Sequence, residues 1–251
     1  VILNNLQDES PVVVNAGFLK KPLAHILHLP IFPELAEFFK KHKVNLISIS
    51  HAQQLQFPDL NYAGNVYNAV DTKEFAFSPA AQDYVLYLGS IGRNKNPKDA
   101  ILAAKQAGIK ILIGGRIKDQ QYYKSEIAPL VDNSSVVWIG EKHPSEIISL
   151  YQGAKAFLFP TLWQEPFGLV LIEAMSCGTP VVAYPNGAIP EIVVDDKVGY
   201  LVKNSAEMAE KIKIIDRIDR SLCRKHVEEK FSISKMIDGY EQILRRILPT
   251  I

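Results

Sequence analysis

Short apolar runs alternate with longer mixed segments along most of this chain, and that alternation limits the folds open to it more than any other property. Tyr84-Val85-Leu86-Tyr87-Leu88, Lys110-Ile111-Leu112-Ile113, Val136-Val137-Trp138-Ile139, Ala156-Phe157-Leu158-Phe159 and Thr179-Pro180-Val181-Val182-Ala183 read as strands, buried and parallel. Residues 99–107, 121–130 and 145–154 read as the helices between them. Strands and helices taking turns at these lengths predict a doubly wound parallel α/β sheet. Upstream, Pro11-Val12-Val13-Val14-Asn15, Ala24-His25-Ile26-Leu27-His28 and Asn45-Leu46-Ile47-Ser48-Ile49-Ser50 read as further strands, with a helix over 33–43. Linker composition at Ser78-Pro79-Ala80-Ala81 places a boundary between 71 and 82, and the tail over 231–248 reads as helix.

A chain of 251 residues can form one large domain or two small ones with a sizeable core. Hydrophobic residues at 47% and charged residues at 22% describe an ordinary globular protein. The net charge of +1 gives no electrostatic case for nucleic acid. No apolar run reaches bilayer-spanning length and no signal peptide is visible. Cys177 and Cys223 stand far apart outside any CxxC arrangement, which reads as reduced thiols and a cytoplasmic setting. Phe38-Phe39-Lys40-Lys41-His42-Lys43 would allow peripheral contact with anionic lipid at the inner membrane face, although cations at a helix C-terminus explain it more simply. Neither a metal nor a cofactor is expected: the chain has no Asp-x-Asp pair, zinc-type His/Cys spacing, P-loop or G-x-S-x-G elbow.

The chemistry concentrates in Glu165-Pro166-Phe167-Gly168-Leu169-Val170-Leu171-Ile172-Glu173-Ala174-Met175. Two carboxylates bracket a Pro-Phe-Gly turn that opens an apolar helix. Eight helical steps would set them about 12 Å apart along the axis, beyond the about 5 to 9.5 Å of an acid/base pair on one bond. The spacing suits two hydroxyl-bearing ends of one extended ligand, with an anion at the helix N-terminus between them. This segment and the loop Pro185-Asn186-Gly187-Ala188-Ile189-Pro190-Glu191 both follow strands, where ligands bind in open α/β sheets.

At these residues the chain resembles glycosyltransferase family 4, also called group 1, whose members have the GT-B fold of two facing Rossmann-like domains. Glu165 to Glu173 resembles the family's E-x7-E motif, and Val66-Tyr67-Asn68-Ala69-Val70-Asp71 its N-G-[IV]-D. Val137-Trp138-Ile139-Gly140 resembles V-x-[FY]-x-G; Asn186 to Glu191 and Val198-Gly199-Tyr200-Leu201-Val202 resemble G-G-x-P-E and T-G-x-L-V. The likeness spans roughly residues 44 to 245. It implies a partial acceptor-side domain over 1–75, a donor-binding domain over 76–230 and a C-terminal helix over 231–251 returning to the first. The Gly-rich opening of the family does not precede Val1, so a longer parent protein is expected.

The resemblance also implies roles. Glu165 would meet the transferred sugar, Glu173 the ribose of the nucleotide, and the backbone N–H groups of Gly168 and Leu169 the diphosphate. Phe167 and Ile139 would belong to the donor surface. The family's G-R-[LI]-x-x-x-K-G stands here as Gly89-Ser90-Ile91-Gly92-Arg93-Asn94-Lys95-Asn96. Lys95 keeps its place as the cation for the diphosphate, Ser90 replaces an arginine, and Arg93 is the candidate substitute. His28 matches a histidine that contacts the sugar from the acceptor side; His25 and His51 lack such support. The implied activity is retaining transfer from a nucleotide diphosphate sugar to a hydroxyl of a glycan, lipid or small molecule. A nucleotide-sugar epimerase and a non-catalytic nucleotide-sugar-binding module remain the alternatives.

Overall fold

A computed structural model describes residues 1–5, 19 and 21–248, so the strand expected over 11–15 lies outside the described residues. Its strands form two parallel sheets. The first has the order β1 (Ile2–Asn4), β2 (Leu23–Leu27), β3 (Asn45–Ser48), β4 (Tyr62–Asn65). Helix α1 (Pro33–His42) connects β2 to β3, and the short α2 (His51–Gln56) connects β3 to β4. Phe39 and Ala36 of α1 bury against Leu23, Leu27 and Leu46. Lys40, Lys41 and His42 occupy its last turn, where the carbonyl end of the helix favours cations.

The second sheet has six strands, β5 (Tyr84–Leu88), β6 (Lys110–Gly114), β7 (Val136–Gly140), β8 (Ala156–Phe159), β9 (Val181–Ala183) and β10 (Gly199–Leu201). Their order in space is β10-β9-β8-β5-β6-β7. Val85, Leu86, Phe157, Leu158, Val181 and Val182 have no solvent exposure, as expected of strands covered on both faces. The covering helices are α3 (Pro97–Ala107), α4 (Gln120–Tyr122), α5 (Pro144–Gly153), α6 (Leu169–Ser176), α7 (Ile189–Ile192), α8 (Ser205–Lys213) and α9 (Arg220–Lys230). This is the doubly wound α/β architecture expected, in two Rossmann-like sets.

The helix expected over 121–130 is not a single α-helix. After α4 the chain passes through a π-turn at Tyr123–Ile127 and a 3-10 turn at Ala128–Leu130. Pro129 has no N–H to donate and its ring crowds the carbonyl four residues back, so an α-helix cannot continue through it.

The chain crosses between the sheets twice, and the crossings touch. Val70 forms a parallel bridge with Ser232, and its N–H donates to the Phe231 carbonyl at 3.0 Å. Helix α10 (Ile233–Ile247) then packs on the first sheet: a Cβ on Gly64 of β4 would collide with the Ile243 side chain, and one on Gly239 would press on Val66. No helix among the described residues is long and apolar enough to cross a membrane.

Arg220 fastens the linker to the second sheet. Its guanidinium donates to the carbonyls of Ser78 (3.0 Å), Ala154 (2.8 Å) and Gln152 (2.8 Å) and to Thr179 Oγ1 (3.2 Å). Arg220→Met keeps volume but strands several acceptors, and is expected to lower stability by about 3 kcal/mol. Urea unfolding measures this; a loss within error of zero would show that water satisfies those carbonyls.

Candidate active site

Sheet order reverses beside β5, where β8 returns to pair on the side opposite β6. The loops leaving β5 and β8 part there, and a crevice opens at the carboxyl ends of the strands. Lys95 lies on the first loop and Glu165 on the second. The Asn94 carbonyl ties the loops together, accepting from Leu162 N–H at 2.8 Å and Thr161 Oγ1 at 3.2 Å.

Lys95 Nζ donates directly to Glu165 Oε2, and Trp163 Nε1 donates to the same oxygen at 2.9 Å. The ammonium also sits 5.1 Å from the Trp163 ring centre and 5.4 Å from that of Phe159. Only 19% of the lysine side chain and 12% of the glutamate side chain meet solvent, so each charge depends on the other for compensation. The backbone of Glu165 is held just as closely: it bridges Gly187, and its carbonyl accepts from Ala188 N–H at 2.9 Å. Helix α6 starts four residues later. Gly168 takes φ +101°, a backbone region that suits glycine, and turns the chain into the helix. The first N–H groups of α6 have no partner within the helix.

Across the crevice stand His28, Leu29 and Pro30 after β2, Ile49 after β3 and Asn68 after β4. Together with Gly89, Lys95, Trp163, Glu165, Phe167, Gly168 and Leu169 they bound a cavity of about 370 Å3, within the size range of small-molecule sites. His28 Nε2 pairs with the Asn5 side-chain amide, and burial lowers the imidazole pKa. Phe167 is buried against Tyr67 and Phe231, whereas Leu169 is 45% exposed at the rim. A larger hollow of about 560 Å3 beside Phe77, Lys155 and Arg220 shares no lining residue with this cavity. Lys155 is already paired there with Asp83, and Arg220 is engaged as described.

The remaining candidates do not line the cavity. Glu173 points to Tyr151, whose hydroxyl donates to its Oε2 at 3.1 Å. Arg93 lies 5.2 Å over the Tyr122 ring and 3.9 Å from Asp119, with 64% of its side chain exposed. Ser90 offers its carbonyl to Tyr87 Oη at 3.1 Å, and Ile139 packs beside Gly114. His25 is fully buried: Asn4 Nδ2 pairs with its Nδ1 at 2.9 Å, and burial, with His28 nearby, lowers its pKa to about 4. His51 sits edge-on to Tyr67. Among the described residues no group of three or more His, Cys, Asp or Glu side chains could hold a metal ion.

Sequence reasoning singled out neither Trp163 nor Glu191. Trp163 stands in a polar loop with no motif to mark its indole N–H. Glu191 closes the G-G-x-P-E-like run, but its partners, the His51 and Ala52 N–H groups and Tyr67 Oη, are more than 120 residues away.

Two outcomes follow from this geometry. A Cβ at Gly187, where φ is +67°, would collide with the Glu165 backbone. Gly187→Ala is therefore expected to cost about 1–3 kcal/mol in urea unfolding and to change Trp163 fluorescence, read with Trp138→Phe; an unchanged spectrum would show that Glu165 does not depend on this contact. Glu173 supplies a pH signature. Burial holds its carboxyl above the ordinary value of 4.5, outweighing the Tyr151 hydrogen bond. The folded state keeps this proton to higher pH than the unfolded chain, so the group subtracts stability as pH rises through 4.5 toward the raised value. Glu173→Gln should match the parent at about pH 4 and exceed it at about pH 7; equal unfolding midpoints at the higher pH would show that burying this carboxylate carries no cost.

Comparison with known proteins agrees with the fold. The chain is 31% identical over 173 residues to the D-inositol 3-phosphate glycosyltransferase of Mycolicibacterium smegmatis, covering 64% of this chain and 39% of that protein. It is 29% identical over 229 residues to the capsular polysaccharide biosynthesis glycosyltransferase CapM of Staphylococcus aureus, covering 83% and 57%. The chain thus spans about half the length of these relatives. Its structure superposes on a glycosyltransferase from Rickettsia africae ESF-5 with a TM-score of 0.82 at 16% identity, over 100% of this chain and 78% of that one. Anabaena Alr3699/HepE, solved with UDP and glucose, gives 0.78 at 21% identity over 93% and 74%. At those identities the likeness concerns fold, and the fold is GT-B. Residues 71–228, more than half of the chain, match the family described as glycosyl transferases group 1, and the chain belongs to that family.

Proposed function

We propose that this chain carries the donor site of a retaining glycosyltransferase that moves a sugar from a nucleotide diphosphate sugar to an acceptor hydroxyl. Residues 76–230 bind the donor, residues 1–75 form part of the acceptor side, and residues 231–251 return to it. One observation carries the reading: Lys95, Glu165 and the start of α6 meet in a single cavity at the switch point of the sheet, with His28 facing them. The names of the relatives support transfer, and the UDP and glucose bound to Anabaena HepE support a nucleotide-sugar donor.

In this reading the bond between the anomeric carbon and the diphosphate oxygen breaks first. Lys95 and the N–H groups from Gly168 onward take up the charge that develops on the leaving diphosphate. Glu165 and His28 hold the sugar, and Glu173 grips the ribose. The acceptor oxygen attacks from the face the diphosphate leaves, its proton passes to a phosphate oxygen, and the anomeric configuration is kept. Lys95 and the helix amides supply the positive charge, so no metal is required. Because Lys95 is paired with Glu165 beforehand, the donor takes the ammonium from the carboxylate and leaves that carboxylate free for sugar hydroxyls. The acceptor is a glycan, a lipid-linked sugar or a small molecule, met in the cytoplasm or at the inner face of the membrane.

Lys95→Ala in the full-length protein is expected to lower kcat/KM by about 100-fold or more. Glu173→Ala should weaken nucleotide binding in calorimetry. Unchanged turnover and unchanged nucleotide binding in both variants would overturn these assignments, and a product of inverted anomeric configuration, read by NMR, would overturn retention.

A further inference from the structure

Glu191 belongs to α7 of the second lobe, yet its carboxylate is occupied by the first. Oε2 accepts from the His51 N–H at 2.8 Å and from Tyr67 Oη at 2.9 Å, and Oε1 accepts from the Ala52 N–H at 2.6 Å. All three partners are donors, so an acceptor-only carboxylate fits where an amide would not. His51 and Ala52 open α2, whose first N–H groups lack helical partners; Ser50 already serves the third from Gln53.

Both ends of this contact reach the cavity. On the first-lobe side, Gln53 of α2 donates its amide to the carbonyls of Leu27 and Leu29, each at 3.1 Å, which flank His28. On the second-lobe side, the segment entering α7 is fixed to the Glu165 loop. Gly187 bridges Glu165, Gly187 N–H donates to Gln164 Oε1 at 3.0 Å, and Asn186 Nδ2 donates to the Thr161 carbonyl at 2.7 Å. Hydrogen bonds through Gln53, the start of α2 and Glu191 therefore tie the backbone flanking His28 to α7, and the segment entering α7 is bonded to the Glu165 loop.

We propose that Glu191 is a positioning residue that sets the width of the cleft, holding the loop of His28 at a fixed distance from Glu165. The inference rests on the reaction proposed above for the consequence it has on turnover, but its geometry stands by itself. Donor is bound mostly by the second lobe, so loosening the strut changes how the acceptor side meets the sugar more than how the nucleotide binds.

The test uses Glu191→Gln, which is nearly isosteric but sets an amide N–H against one of the three donors in either orientation. Tyr67→Phe, which removes one donor of three, is the milder second variant. Spin labels at Leu55→Cys and Leu162→Cys, both exposed and on opposite lobes, report the interlobe distance, since Cys177 and Cys223 are buried. The parent should give a narrow distance distribution and Glu191→Gln a broader one, with Tyr67→Phe between them. In the full-length protein kcat for transfer should fall about 10- to 100-fold while the UDP Kd stays within about twofold. Unchanged label distances in both variants would overturn the strut, whatever happens to activity. A UDP Kd that weakens in step with kcat would overturn the positioning role in favour of direct donor contact. Altered distances in a parent chain that transfers no sugar would leave the strut standing and overturn only the proposed reaction.

Discussion

The strand order of the second sheet turns back at β5, and the placement of Lys95 and Glu165 depends on that reversal. A chain that had continued past β7 in one direction would have packed successive loops side by side over the strand ends. By returning β8 to the far side of β5, the fold sends two loops apart and leaves a gap that backbone does not fill. One carbonyl, that of Asn94, is shared by both walls of the gap. Lys95 is the next residue, so the cation is fixed at the place where the walls are joined.

That placement concentrates electrostatic work in few groups. Ser90 stands where the family has an arginine, and Arg93 lies over Tyr122 beside Asp119. Lys95 is the one Lys or Arg side chain lining the cavity among the described residues, and burial disfavours a positive charge on His28. The Trp163 and Phe159 rings lie within reach of the ammonium and attract it, and Glu165 balances its charge. An anion binding under the reading proposed above would exchange with a partner already present, so its net gain would be smaller than for binding to an unpaired lysine.

The strands with continuous apolar runs were legible in the sequence because burial on both faces leaves a direct mark on residue choice. Tyr62-Ala63-Gly64-Asn65 carries no such mark, and β4 owes its place to β3 on one side and Ile243 from the far end of the chain on the other. Residues 121–130 have helical composition, and Pro129 prevents the α-helix from running through. Glu165 could be singled out because it opens a helix that the pattern marked, whereas Lys95 and His28 stood out only through the likeness to the family's motifs. Glu191 and Gln53 could not: most of their partners are backbone groups, which leave no trace in side-chain spacing.

Helix α10 follows the second sheet in the chain yet packs on the first, whose described strands end at Asn65. Val66 meets Gly239, and Gly64 meets Ile243, across more than half the length of the described chain. Closing so long a loop costs only a little more than closing one of half the length, because the entropy grows with the logarithm of length. Timing is affected more than stability. During synthesis the second sheet can assemble from consecutive strands and helices as they emerge, whereas β4 waits for its last cover until residue 243 has been added and freed. The first sheet is thus finished after the second, and its β4 face is a surface that needs protection until α10 covers it.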